Sequence, residues 1–303
     1  MVTIREGSSK DVIIRPGPKG RLVDLRFTKR FSVFDVGAVP YEIEEMDEFR
    51  HRIATRNFEV LKGASIQTHF IASDPERHII TVMPFNIYQI NVHFDEARGR
   101  IIPLEIIDRQ EVTQPLLDRA KNNPELLSKM TARVAGPLIV GAKFTTPLIE
   151  CTTKFEAIDR RLSDNEAITI ARLGYTSYYD LCDFVARAST VLTDFFRSCG
   201  YNRLDGKWEI AITYDGPRFV VVDSYSPDEM RLIGQDGRSY DKDPLRLWYR
   251  ATFPKWIRAL DDAKLKWPNH KAMWPKYPRK RPPQTVLTDL RGRYQQVMID
   301  ISA

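Results

Sequence analysis

Three observations predict an α+β fold of two domains. Short β-branched and aromatic runs crowd the first hundred residues, helical periodicities gather later, and 303 residues are about two domains' worth of chain. Strand runs followed by helix runs argue against a doubly wound parallel sheet, in which the two would alternate. No repeat of about 20–50 residues is visible, which disfavours a solenoid or propeller. Hydrophobic residues make up 43% and charged residues 28% of the chain. That composition supports a buried core and argues against disorder as the main state.

Val12–Arg15, Leu22–Phe27, Ile66–Ile71, His78–Met83 and Ile87–Phe94 read as strands, because each is short, apolar and bounded by polar or Pro/Gly punctuation. A helix over Met46–Leu61 interrupts them, with Phe49, Ile53, Phe58 and Leu61 near helical spacing. Pro16-Gly17-Pro18-Lys19-Gly20 lacks the ending of a P-loop and reads as a turn. Residues 101–109 form an apolar strand ending in charge, 113–131 read as helical, and 132–155 as loop and strand. Ser163-Asp-Asn-Glu166 is a capping box that opens a helix over Asp164–Leu173. Ser177 is the expected cap of the next helix, whose stripe is Leu181, Phe184, Val185, Ala188, Val191, Leu192 and Phe195, with Gly200 beyond its end. Two strands follow, then helices over Pro244–Leu265 and Gln284–Ile299. The expected division is a mostly β domain over 1–95 and an α+β domain over 96–303.

The net charge is +6, from 46 basic and 40 acidic residues. Lys264, Lys266, Lys271, Lys276, Arg279, Lys280 and Arg281 account for the whole excess, with no acid between them and with Trp267, Trp274 and Tyr277 interleaved. So local a surplus disfavours a nucleic-acid-coating surface. Three widely spaced cysteines, Cys151, Cys182 and Cys199, form neither a disulfide ladder nor a metal knuckle and suit a reducing cytoplasm. The opening residues carry no apolar signal core, and no run approaches the ~20 apolar residues that span a bilayer. The five histidines show no metal spacing and read as structural or surface groups.

The segment from Lys207 to Asp223 carries the most chemistry. Asp215-Gly216 is a turn signal between two apolar runs. A three-residue loop pairs Tyr214 with Arg218 and, counting outward, Glu209 with Asp223. Two carboxylates facing each other need neutralising; a divalent cation with oxygen ligands does this, and so does plain solvation at an exposed hairpin end. Lys207 shares the face of Glu209 by the period of two.

These residues resemble the SAICAR synthetase family. The resemblance lies in Lys207-x-Glu209, Asp223, Ser226-Pro-Asp228-x-x-Arg231 and Ser239-Tyr-Asp-Lys242. Glu6-Gly7-Ser8-Ser9-Lys10, Phe31-Ser32-Val33-Phe34-Asp35, Thr68-His69-Phe70, Pro103-Leu-Glu105 through Arg109, Thr152-Thr153-Lys154-Phe-Glu156 with Asp159, and Arg281-Pro-Pro with Tyr294 resemble further family blocks in the same order. The resemblance implies an ATP-grasp-like, protein-kinase-like architecture and an ATP- and Mg²⁺-dependent ligase of the cytoplasm. A carboxylate substrate is activated as an acyl phosphate and joined to L-aspartate in an amide.

It implies roles as well. Gly7, Lys10 and Lys207 meet ATP, and Glu209 and Asp223 hold Mg²⁺. Ser32, Asp35, Arg109, Lys154, Asp159, Asp228, Arg231 and Lys242 line the substrate sites. Lys207, Asp228 and Arg231 are the expected catalytic residues. Small-molecule partners follow; a membrane does not, and a homo-oligomer is left open.

The chain departs from the family pattern in three places. Ser8 replaces the first lysine of the opening, and the acidic Glu42-Ile-Glu-Glu-Met-Asp47 replaces a Pro-Gly-Lys-Gly. After Arg109 the family's Ala-Gly-Ser gives way to Gln110-Glu111-Val-Thr-Gln-Pro115. The ATP and metal half is thus better kept than the substrate-phosphate half. Two readings fit: a ligase for a different, heteroaromatic carboxylate, or a standard member whose phosphate contacts come from elsewhere. The competing class is a degenerate relative that uses its basic, Trp-rich stretch to bind an acidic partner or nucleic acid.

Overall fold

The computed structural model describes residues 2–18, 20–215 and 219–302. The chain opens with β1 (Val2–Glu6), β2 (Lys10–Gly17) and β3 (Gly20–Phe27), then α1 (Met46–Gly63), β4 (Phe70–Asp74) and β5 (Ile79–Val82). The strands form an antiparallel sheet in the order β1-β2-β3-β5-β4. The buried side of α1 carries Phe49, Ile53, Phe58 and Leu61. The acidic run before it places Asp47 and Glu48 in the first helical turn, where negative charge meets the positive helix end.

Two predicted strands fall differently. Within Ile66–Ile71, residues 66–69 cross to the other sheet, and β4 begins only at Phe70. Within Ile87–Phe94, a 3₁₀ turn spans Tyr88–Ile90 and Asn91 adopts a left-handed backbone (φ 54°). Asn tolerates that conformation, and an apolar run passing through it cannot stay extended.

The second part holds β6 (Gly99–Ile101), β7 (Leu104–Glu111), α2 (Gln114–Ala120), α3 (Pro124–Thr131), β8 (Lys143–Thr153), β9 (Arg161–Leu162), α4 (Asp164–Ala171) and α5 (Tyr175–Ser198). After these come β10 (Tyr201–Thr213), β11 (Phe219–Val222), β12 (Met230–Gly234), α6 (Asp243–Thr252), α7 (Pro254–Lys266) and α8 (Gln284–Asp300). Proline splits both long helices that the sequence suggested. Pro124 and Pro254 lack an N–H and each starts a new helix. The capping box at Ser163 and Glu166 forms, but Gly174 rather than Ser177 caps α5, because the helix already begins at Tyr175.

β10 organises the second, antiparallel sheet. Its first half pairs with β12 and β7, its second half with β11 and β6; β8 and β9 extend the sheet beyond β7. A continuous apolar core runs from Leu25 and Ile80 through Phe58 to Ile106, Trp208, Leu181 and Leu192, so it crosses from one sheet to the other. No helix among the described residues is long and apolar enough to cross a membrane.

Candidate functional site

The two sheets meet where β2, β8, β10 and β11 bring charged side chains together. The register of β10 with β11 pairs Glu209 with Val222, one residue off the predicted Glu209–Asp223 pair. Arg218, the predicted mate of Tyr214, lies outside the described residues. Asp223 follows the last residue of β11 with φ 68°, so the alternation of faces stops at Val222 and its side chain leaves the strand pattern.

Lysines gather the two carboxylates. Lys154 Nζ is ion-paired with Glu209 Oε1, and its charge also acts on Asp223. Lys10 Nζ lies 2.5 Å from Asp223 Oδ1 and donates to Ser224 Oγ at 2.6 Å. Burial alone would raise the Asp223 carboxyl, but Lys10 and Lys154 outweigh it and hold the group below its usual range. Burial opposes the charge of Lys10 as well, yet Asp223, Glu229 and Glu209 together keep it raised.

The backbone around these groups is tightly set. Gly7 donates its N–H to Lys10 O at 2.9 Å, and a Cβ at Gly7 would overlap that carbonyl. Buried His69 spans the sheets: its N–H donates to Val221 O at 3.0 Å, and its Nε2 lies 2.9 Å from Asp223 O. The Thr68-His69-Phe70 block therefore supports the loop of Asp223.

Lys207 faces Glu105 at 2.8 Å. Burial pushes the Glu105 carboxyl up to about 7 despite Lys207, and Asp159 and Glu209 add to the rise. Asp35 pairs with Lys264 at 3.4 Å; burial opposes its charge, but Lys264, Lys207 and Lys242 pull its pKa below the ordinary value. Ser32 donates to Ser8 Oγ at 3.1 Å, so the serine in place of the family lysine holds this loop. Tyr277 bonds the same loop at Val33 N and O and at Gly37 O. Asp228 is buried among Arg50 (3.1 Å), Lys242 (3.4 Å) and the Tyr294 hydroxyl (2.8 Å). Burial would raise it, but Arg50 and Lys242 lower it to about 2.

Arg109 and Arg231 stand apart from the lysines and share Asp205. Arg109 Nη1 lies 3.2 Å from Asp205 Oδ2 and its Nε 2.5 Å from Glu150 Oε2, while Arg231 Nε approaches Asp205 at 2.9 Å. Glu150 also takes both Nη groups of Arg119, at 2.7 and 3.0 Å, and Arg161 at 3.4 Å. Glu111, in the segment that stands where the family has Ala-Gly-Ser, pairs with Lys143 across the β7–β8 ladder. Behind both groups Asp108 and Arg203, fully buried, pair with each other and with Trp208, Tyr225 and Ser189. That network ties β7 and β10 to the loop carrying Ser224 and Ser226.

Sequence reading missed Lys264, Glu229, Arg119 and Glu150. Lys264 counted only as part of the basic stretch; Arg119 and Glu150 meet only through sheet and helix packing. Among the described residues no set of three His, Cys, Asp or Glu side chains could hold a metal ion. Glu209 and Asp223 are nonetheless hard oxygen donors already facing positive charge, the donor type Mg²⁺ takes from a protein that leaves the rest of its shell to water and phosphate.

Comparison with known proteins agrees with the motifs. The sequence model of SAICAR synthetase matches residues 3–263. The phosphoribosylaminoimidazole-succinocarboxamide synthase of Thermoplasma volcanium is 28% identical, over 83% of this chain and 84% of its own length. The crystal structure of the same enzyme from Ehrlichia chaffeensis superposes with a TM-score of 0.63 at 20% identity, over 88% of this chain and 99% of that one. The SAICAR synthase of Saccharomyces cerevisiae, solved with SAICAR, gives 0.71 at 18% identity, over 99% of this chain and 94% of that one. Motif order, sheet architecture and the match over most of the sequence agree: the chain belongs to the SAICAR synthetase family, and with it to the ATP-dependent ligases that form a carbon–nitrogen bond.

Proposed function

We propose that the chain joins a heteroaromatic carboxylate to L-aspartate at the expense of ATP, and that its carboxylate substrate differs from the phosphorylated imidazole nucleotide of the standard enzyme. The observation that carries the ligase chemistry is the set of three lysines, Lys10, Lys154 and Lys207, around Glu209, Asp223 and Glu105. A carboxylate oxygen attacks the γ-phosphorus of ATP and ADP leaves. The aspartate amine then attacks the acyl carbon, phosphate leaves, and the nitrogen loses its extra proton. Both steps spread negative charge over phosphoryl oxygens, which preorganised lysines stabilise. Glu209 and Asp223 would hold Mg²⁺, which supplies further charge neutralisation at the phosphates.

In this reading Gly7 and Lys10 meet the nucleotide, and Lys154, Asp159, Asp35, Ser32 and Lys242 line the acid and amine sites. Asp228 acts by positioning, because Arg50, Lys242 and Tyr294 already engage it. The test is ADP release with Mg²⁺, L-aspartate and a panel of heteroaromatic acids, with and without a ribose phosphate. Turnover of phosphate-free acids supports the full reading. Turnover of the phosphorylated nucleotide alone leaves the ligase and removes the altered substrate. Absence of turnover and of ATP binding sinks both.

A further inference from the structure

Ten of the 46 basic residues and only two of the 40 acidic ones lie between Arg250 and Arg281, so the rest of the chain has a net charge of −2. Within this segment only Lys264 forms an ion pair among the described residues, and its partner, Asp35, lies outside the segment. The two acids, Asp261 and Asp262, are exposed and pair with none of the neighbouring cations. Lys255, Arg258, Lys276, Arg279 and Lys280 are exposed as well, and make no ion pair, side-chain hydrogen bond or ring contact among the described residues.

The backbone that carries these charges is held in place. Trp256 Nε1 donates to Lys276 O at 2.8 Å, and Trp274 Nε1 donates to Trp267 O at 3.0 Å. Prolines at 275, 278, 282 and 283 stiffen the return toward α8. The rings are turned inward: Trp274 is buried, and Trp256, Trp267 and Tyr277 are half-buried. The stretch therefore lacks the open aromatic faces on which nucleic-acid bases stack.

The segment borders the site. Lys264 meets Asp35, Arg250 lies over the ring of Phe34, and the charge of Lys207 acts on the same Asp35. The field of an exposed cation reaches about one Debye length, roughly 10 Å at 0.1 M salt. A fixed positive rim on an otherwise faintly negative molecule concentrates anions at that rim. ATP, a carboxylate and L-aspartate are all anions.

We propose that the segment from Arg250 to Arg281 gathers the anionic substrates of the ligase toward the site through its field, ATP foremost because it carries the most charge. It does so without contacting the bound nucleotide. The proposal rests on the use of ATP and is independent of which acid is joined.

The test measures association of a ribose-labelled fluorescent ATP with the full chain by stopped flow. Salt is varied from about 0.01 M to about 1 M, over which the Debye length shrinks from about 30 to about 3 Å. The wild-type rate constant should fall at least about tenfold across this range. The combined variant Lys255→Gln, Arg258→Gln, Lys276→Gln, Arg279→Gln and Lys280→Gln should associate at least about fivefold more slowly at low salt and match the wild type at high salt. Exchanging lysine for arginine and arginine for lysine at the same positions keeps the charge and should keep the wild-type rate. A wild-type rate that changes less than about twofold with salt overturns the proposal, whether or not the variants fold. So does a neutralised variant that is as fast as wild type at low salt, one whose deficit persists at high salt, or a deficit that the charge-keeping exchange shares. A wild-type chain that binds no nucleotide at any salt removes the ligase reading and this proposal with it.

Discussion

Lys10 Nζ, on the second strand of one sheet, lies 2.5 Å from Asp223 Oδ1, just past the end of a strand of the other. The ion pair bridges the two sheets with a side chain from each. Lys10 also draws on Glu229 and Glu209, so its charge is anchored before any phosphate arrives. Replacing it by methionine keeps the stem and removes the charge. Lys10→Met should lower kcat/KM for ATP by about 10²–10³-fold, the cost of one preorganised stabilising donor, with far-ultraviolet circular dichroism unchanged. A loss below threefold in a coupled ADP-release assay would separate Lys10 from the nucleotide.

The Tyr277 hydroxyl bonds backbone at Val33 and Gly37, on either side of Asp35. Tyr277→Phe removes these bonds and keeps the ring against Tyr249 and Trp256. At about 1 kcal/mol for such a bond, KM for the carboxylate should rise about fivefold while KM for ATP stays within twofold. Equal changes in both would show that the loop serves something other than the acid.

Burial lowers both His51 and His69 to about 4, His51 beside Ile79 O and His69 beside Asp223 O. Their ordinary value is about 6.5, so the unfolded chain binds more protons than the folded one between pH 4 and 6.5. The stability that these two imidazoles contribute is therefore full above pH 6.5 and falls as pH drops toward 4, while the raised Glu105 carboxyl changes in the opposite sense over the same range. The check is therefore on the rings themselves: nuclear magnetic resonance of the histidine side chains should find His51 and His69 still neutral in the folded protein at pH 5. A ring of either residue that protonates near its ordinary value of about 6.5 would mean that burial does not hold it neutral.

Gly206 lies against Tyr225 and Arg203, and a Cβ there would overlap the Tyr225 hydroxyl and the Arg203 guanidinium. Gly206→Ala must therefore displace a buried ion pair between Arg203 and Asp108. Destabilisation of about 3 kcal/mol or more is expected, measured by chemical denaturation, with a larger loss of activity than of fold because Tyr225 sits between Ser224 and Ser226. A variant within 0.5 kcal/mol of wild type, an outcome set by the same overpacking scale of about 1–3 kcal/mol, would rule out this tight contact.

The sequence made local features legible. The capping box at Ser163 and the stripe of α5 depend on residues near one another in the chain, whereas Lys207, Glu209 and Asp223 find their partners Glu105, Lys154 and Lys10 from distant segments. The shift in register could not be read, because it ends in an aspartate with a left-handed backbone that no turn signal at Asp215-Gly216 announces. Glu150 was equally silent. Its arginines lie 11, 31 and 41 positions away and meet it only when β7, β8, β9 and α2 are in place. The two helix breaks are legible at Pro124 and Pro254, because a proline without an N–H starts a new helix even where apolar spacing runs on across it.

From the last turns of α7 the chain returns toward the loops of the site. Lys264 reaches Asp35, the cluster of Leu260, Ala263 and Trp274 packs beside Phe34, Val36, Ala157 and Ile158, and Tyr277 grips Val33. Residues from 264 to 277 thus buttress the two loops that carry Asp35 and Asp159. Substrate preference in such a protein can drift without altering a single residue that touches the substrate, because changes in this segment alone would reset both loops. Grafting only the loops between relatives should carry over the chemistry and lose the selectivity, unless the buttress travels with them.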